Sequence, residues 1–148
     1  MRAYDNMGLT LEALGRIDDA MKAYRRAIEL NEQHQLKSKW PYLNLGELLL
    51  KRQGAAESVV CLQKALSLDP KSGKAHTYLG KAYLRQGKNE EALRSFQTAV
   101  RVDPDYAGGH YQLGLLYRIQ GHNKEAQEEM KLFEAYQNKP AGSPRMLE

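Results

Sequence analysis

Cysteine is almost absent from this 148-residue chain: Cys61 stands alone, so no internal disulfide can form and the redox compartment stays open. Tryptophan is as scarce, with only Trp40, and proline occurs five times, too seldom for a collagen-like or proline-rich chain. Long apolar runs are missing too. Leu48–Leu49–Leu50 and Val59–Val60–Cys61–Leu62 fall far short of the roughly 20 residues a membrane helix needs. No basic-then-apolar leader follows Met1, so the expectation is a soluble chain, cytoplasmic by default, with no membrane partner. Nor does one sign of charge dominate. Lys and Arg total 22 against 18 for Asp and Glu, a net charge of +4 with no basic block, which fits a solvated mixed-sign surface.

What is present is repetition. Leu79-Gly80-Lys81-Ala82-Tyr83 aligns with Leu113-Gly114-Leu115-Leu116-Tyr117 at an offset of 34, which also superposes Gly87 on Gly121 and Ala92 on Ala126. The same offset backwards reaches Leu45-Gly46, Leu49, Ala65, Leu68 and Asp69-Pro70, and a last step of 38 reaches Met7-Gly8, Leu11, Gly15, Ala20, Tyr24 and Ala27. Each copy carries two apolar stretches of helical period. In residues 73–106, Ala75, Tyr78, Leu79, Ala82 and Tyr83 form the first, and Ala92, Leu93, Phe96, Ala99 and Val100 the second. Gln86-Gly87-Lys88-Asn89 separates them, with Asn89 the expected N-cap, and Asp103-Pro104 ends the second. Gly8, Gly46, Gly80 and Gly114 leave room for paired helices to approach, and Tyr24 or Phe96 fills the gap beside them. One pair cannot bury its faces alone; stacked pairs can.

This pattern resembles the tetratricopeptide repeat, whose signature W-x2-L-G-x2-Y…A-x3-F…P is echoed in every copy. Copy three supplies Leu79, Gly80, Tyr83, Ala92, Phe96, Ala99 and Pro104. The resemblance implies an all-α fold: a right-handed superhelical solenoid of antiparallel helix pairs over residues 1–138. The repeats fall at about 1–34, 39–72, 73–106 and 107–138, with an insertion at 35–38 and a flexible tail at 139–148. Departures are few. The family's first Trp is Tyr4, Tyr42, His76 and His110 here; Ser58 replaces a close-packing Ala; and the inter-helix glycine of copy two comes one place late, at Gly54. The four extra residues after copy one amount to about one helical turn, so its second helix should be longer and the chain should turn near residues 38–41. Both ends look abrupt for a capped array. The expectation is a piece of a longer repeat protein, or self-association through uncapped ends.

Little in the sequence points to catalysis, a metal or a cofactor. His76 and His110 share one repeat place, which puts them about 10 Å apart in stacked helices, whereas zinc ligands lie about 2 Å from their ion. Cys61, flanked by Val60 and Leu62, reads as a buried inert thiol. Ser58 and Ser95 lack a base at triad spacing, Glu90–Glu91 suit a helix first turn, and Gly73–Lys74 lacks the rest of a phosphate-binding loop.

The informative feature is one face of the first helices. At about 100° per residue, places two, five, nine and twelve of each copy point away from the partner helix. These rows hold Arg2, Asp5, Leu9, Glu12; Trp40, Leu43, Glu47, Leu50; Lys74, Thr77, Lys81, Leu84; and Gly108, Tyr111, Leu115, Arg118, with Asn44, Tyr78 and Arg85 beside them. Seven of these row residues are large and apolar, the mark of a binding surface. In the family this side is a concave groove that takes a peptide or helix. The expected groove residues are Leu9, Trp40, Leu43, Asn44, Leu50, Lys74, Tyr78, Lys81, Leu84, Arg85, Tyr111, Leu115 and Arg118. Lys74, Lys81, Arg85 and Arg118 would give it a basic edge for a partner with some acidic character. The family's carboxylate clamp maps onto Asp5, Leu9, Asn44, Lys74 and Tyr78, of which only Asn44 and Lys74 match, so that specialisation is not expected. The leading expectation is a non-catalytic protein-interaction scaffold. One alternative is the accessory repeat segment of a larger enzyme, such as a glycosyltransferase or sensor kinase. The more remote one, nucleic-acid binding, needs basic residues in register in every copy, whereas Asp5, Glu12 and Glu47 occupy those rows.

Overall fold

The computed structural model describes residues 2–138. Among them run eight helices: α1 (Arg2–Ala13), α2 (Ile17–Gln33), α3 (Trp40–Lys51), α4 (Ala55–Leu68), α5 (Gly73–Arg85), α6 (Asn89–Val102), α7 (Ala107–Ile119) and α8 (Asn123–Gln137). No strand occurs among the described residues. The flexible tail expected at 139–148 lies outside them.

Tight turns join the two helices of each pair. Gly15, Gly87 and Gly121 take the left-handed conformation there, with φ of +76°, +74° and +82°, a region open to glycine at no steric cost. In the second pair that place is held by Gln53, at φ +62°, because the glycine has moved one residue on and Gly54 takes an ordinary φ of −87° as the cap of α4. Asn89 is not the N-cap expected for α6. Lys88 stands at that position without a side-chain cap, and Asn89 is the first helical residue. The side-chain cap belongs to Ser72, whose Oγ accepts the N–H of Ala75 at 3.1 Å at the start of α5.

The insertion lengthens α2 to 17 residues, against 14 in α4 and α6. Past its end, the buried Asn31 side chain binds the main chain of Ser38 twice, donating from Nδ2 to the carbonyl at 3.2 Å and accepting the N–H at Oδ1 at 3.3 Å. The segment between α2 and α3 is therefore pinned to the scaffold.

Packing within a pair depends on two very close approaches. A Cβ placed on Gly8 would lie 2.4 Å from the Tyr24 ring, and one on Gly80 would lie 2.4 Å from the Phe96 ring. Both aromatic side chains are fully buried. In the second pair Ser58 is buried in place of the usual alanine, and its hydroxyl donates to the Gly46 carbonyl at 2.6 Å, so the polar substitution is satisfied. Three core clusters run along the array, centred on Tyr24 with Leu48, on Leu62 with Leu79, and on Phe96 with Leu113. Ile28 packs on the first two and Tyr83 on the last two, so each pair is bonded to its neighbours and to nothing further away.

The curvature follows from which helices touch. Consecutive first helices meet (α1 with α3, α3 with α5, α5 with α7), while the second helices α2, α4, α6 and α8 do not meet one another. The first helices therefore form the crowded inner wall, and the second helices splay apart on the outside.

Candidate functional site

A hollow of about 770 Å³ lies in the N-terminal half of the inner wall. Arg2, Asp5, Asn6 and Leu9 from α1, Trp40 and Asn44 from α3, and Lys74 from α5 line it. Lys37 and Ser38 of the insertion, with Lys39 next to them, close one side, and Leu68 and Asp69 at the end of α4 close another. The Lys39 ammonium pairs with the Asp69 carboxylate and lies 4.9 Å from the centre of the Trp40 ring. Leu9 and Trp40 remain 50% and 51% exposed, the two exposed large apolar side chains that line this hollow.

Four of the expected groove residues, Leu9, Trp40, Asn44 and Lys74, thus converge on one hollow. Others do not. Leu43 and Leu50 are withdrawn into the scaffold at 1% and 2% exposure, so they offer no groove surface. A single helical wheel misplaces Leu43 and Leu50, at places five and twelve, because it leaves out the first helices α1 and α5 that flank α3 on either side. Asp5 and Thr77 of the place-five row are buried as well. Tyr111, in the last first helix, stays exposed, and its ring leans on Phe133 of α8 at 4.9 Å. Leu84 is half-buried against the Phe96 cluster and Leu115 is half-buried. The basic edge is dispersed: Arg85 shares a shallow hollow with Lys51 and Gln53, and Arg118 one with Met130 and Glu134 of α8. Lys37 lies in the insertion and has no repeat equivalent, whereas Lys39 and Asp69 stand at the repeat places of Gly73 and Asp103, which meet through the Gly73 N–H and Asp103 Oδ2 at 3.3 Å; that recurrence was the signal the single-helix reading passed over.

The centre of the wall is charged but internally paired. Tyr78 donates its hydroxyl to Glu47 Oε1 at 2.8 Å, Lys74 Nζ stands 3.6 Å from Glu47 Oε2, and Lys81 lies 5.1 Å from the Tyr78 ring centre. One pair earlier, Tyr24 donates to Glu12 Oε1 at 2.6 Å and Lys51 reaches Glu12 Oε2 at 3.3 Å. Burial, and then the carboxylate each one serves, drive the Tyr24 and Tyr78 hydroxyls far above the usual phenol range. They act as fixed donors at any physiological pH.

Sequence comparison now bears on this arrangement. Family models described as tetratricopeptide repeat match residues 2–34, 41–72 and 61–94, and one described as TPR repeat matches 80–121. The chain belongs to the tetratricopeptide repeat family. Among solved structures, this tetratricopeptide array is similar to TTC0263, a thermophilic TPR protein of Thermus thermophilus, at 26% identity and a TM-score of 0.79, covering 94% of this chain and 75% of that one. It is similar to MamA from Desulfovibrio magneticus at 22% identity and a TM-score of 0.75, covering 94% and 76%. An O-GlcNAc transferase mutant of Thermobaculum terrenum matches at 21% identity and a TM-score of 0.71, over 78% of this chain but 22% of that one. No curated protein matches the sequence.

In this tetratricopeptide array the histidines at the family's tryptophan place have corner roles. His76 Nε2 lies 2.9 Å from the Pro70 carbonyl, and His110 Nε2 lies 2.7 Å from the Pro104 carbonyl. Each ties a first helix to the proline corner that precedes it. Cys61 is buried, and burial pushes its thiol up to about 11, so it stays protonated and unreactive at neutral pH. Among the described residues no group of three His, Cys, Asp or Glu side chains could hold a metal, and no helix is long and apolar enough to cross a membrane.

Proposed function

We propose that the chain is a non-catalytic interaction scaffold whose inner wall receives a peptide or helix of a partner protein. The observation that carries this reading is the pair Leu9 and Trp40: two large apolar side chains, half exposed, beside one hollow on the concave side of a tetratricopeptide array. Solvent-exposed apolar surface bordering a concavity marks a place where another molecule sits, and aromatic side chains are frequent energetic anchors of such contacts. Glu12 and Glu47 on the same wall, held by Lys51 and Lys74, argue against a nucleic-acid backbone as the occupant.

The test is selection of displayed random dodecamers on the intact chain, with counter-selection on the double variant Leu9→Ser, Trp40→Ser. Both side chains are half exposed, so helicity should survive the change. The expected result is enriched peptides that bind the parent and lose at least about tenfold in affinity on the variant. Enrichment indifferent to these substitutions would contradict the reading.

A second reading has one observation behind it. The array resembles 22% of the O-GlcNAc transferase chain, so it could serve as the repeat segment of a larger enzyme, with chemistry elsewhere. The same wall would then position the substrate protein.

A further inference from the structure

We propose that the hollow between α1, α3 and residues 37–39 anchors an extended acidic peptide of a partner protein, with a main-chain N–H of that peptide donating to the Asp5 carboxylate. This rests on the groove reading above and specifies its ligand.

Asp5 is the starting point. It lies in the first turn of α1, lines the hollow, and is 6% exposed. Asn44 bonds the carboxyl group, yet among the described residues Oδ1 has no hydrogen-bond partner. A buried acceptor without a donor is costly and marks a place where something outside the described scaffold is expected to bind. Burial pushes Asp5 above its usual range, against the bond from Asn44. A new donor would favour the ionised form.

The surroundings decide what kind of donor. Four cations, Arg2, Lys37, Lys39 and Lys74, line the same hollow, against the carboxylates of Asp5 and Asp69. Lys39 is committed to Asp69 and Lys74 to Glu47. Arg2 and Lys37 have no ion pair among the described residues. A ligand ammonium or guanidinium aimed at Asp5 would have to pass them, so a neutral N–H is favoured and flanking carboxylates are welcome at Arg2 and Lys37. A helix spends its main-chain N–H groups internally, except in its first turn, whereas an extended segment has them free. Leu9 and Trp40 then take an apolar side chain beside the bonded unit.

Trp40 is the only tryptophan in the chain, so its emission reports on this hollow alone. The intact chain is titrated with three pools of end-capped decapeptides, free of Trp and Tyr, on a Leu, Phe and Gly background. One pool carries Asp and Glu, one Asn and Gln, one Lys and Arg. The acidic pool should shift Trp40 emission at a concentration at least about tenfold lower than the uncharged pool. Arg2→Glu with Lys37→Glu, both at exposed positions, should abolish or invert that order. N-methylation of the acidic pool's main chain should cost about tenfold, and so should Asp5→Asn. The N-methylated pool decides the point on the parent chain should Asp5→Asn fail to fold. A Trp40 response to the uncharged or basic pool at least as strong as to the acidic one overturns this inference and leaves the groove reading standing. So does an acidic preference that ignores charge reversal or N-methylation. Silence from every pool, while displayed peptides still need Leu9 and Trp40, also overturns this inference alone. Displayed peptides that ignore both residues overturn the two together.

Discussion

His110 Nδ1 and Glu129 Oε2 meet at 2.7 Å in the interior of the last helix pair. The other ring nitrogen faces the Pro104 carbonyl, also at 2.7 Å. A carboxylate and a carbonyl are both acceptors, so the arrangement favours a ring that donates from both nitrogens, the cationic form. Burial alone would lower its pKa, but the bonds with Glu129 and Pro104 outweigh burial and raise it.

The sign of the pH effect follows. A histidine whose pKa is raised in the folded state from 6.5 contributes stability that is complete below that value and lost as pH rises through the folded one. Denaturant midpoints should fall as pH rises above about 6.5, and Glu129→Gln should flatten that fall. An unchanged slope in the variant would separate the pair from the pH dependence.

Gln53 should be replaceable with gain. Its φ of +62° costs a side-chain-bearing residue about 1 kcal/mol. Gln53→Gly should raise the unfolding free energy by up to about 1 kcal/mol, less whatever the freer unfolded chain takes back. Calorimetry on the two proteins reads this directly.

Gly80 should tolerate no side chain. An added Cβ would stand 2.4 Å from the Phe96 ring, which is fully buried and cannot swing away. Gly80→Ala should destabilise by about 1–3 kcal/mol, and Gly8→Ala should do the same through Tyr24. Gly87→Ala is a useful contrast. Nothing lies within 4 Å of its added Cβ, so its cost comes from the left-handed φ alone, about 1 kcal/mol.

Asn31 should matter more for the hollow than for the helix that carries it. Its two bonds to Ser38 hold the segment that brings Lys37 and Lys39 to the wall. Asn31→Ala leaves the Ser38 main chain without partners and should cost about 1–3 kcal/mol. Lower emission anisotropy of Trp40, two residues further on, would register the loosening; unchanged anisotropy would mean that α3 alone fixes that ring.

The array was legible from the sequence because its determinants repeat. Gly8, Gly46, Gly80 and Gly114 recur at the places where paired helices touch, and Tyr24 and Phe96 fill the space beside two of them. The face was legible only in part. Places two and nine, with Arg2, Leu9, Trp40 and Lys81, remain at least partly open. Place five was misread at Leu43, because a wheel drawn for one helix does not see the next first helix leaning on it. The hollow was not legible. Lys39 and Asp69 stand at the repeat places of Gly73 and Asp103, which also meet across 30 residues, but the repeat pattern alone does not show an ammonium and a carboxylate closing a hollow there. Only the folded chain brings the insertion to the corner after α4.

The most direct measurement is an amide chemical-shift titration of the isotopically labelled chain with a peptide from the display selection. Shifts concentrated on α1, α3 and α5, with the Trp40 indole among the largest, are the expected result. Shifts concentrated on α2, α4 and α6, with Leu9 and Trp40 undisturbed, would contradict the assignment of the inner wall as the binding face.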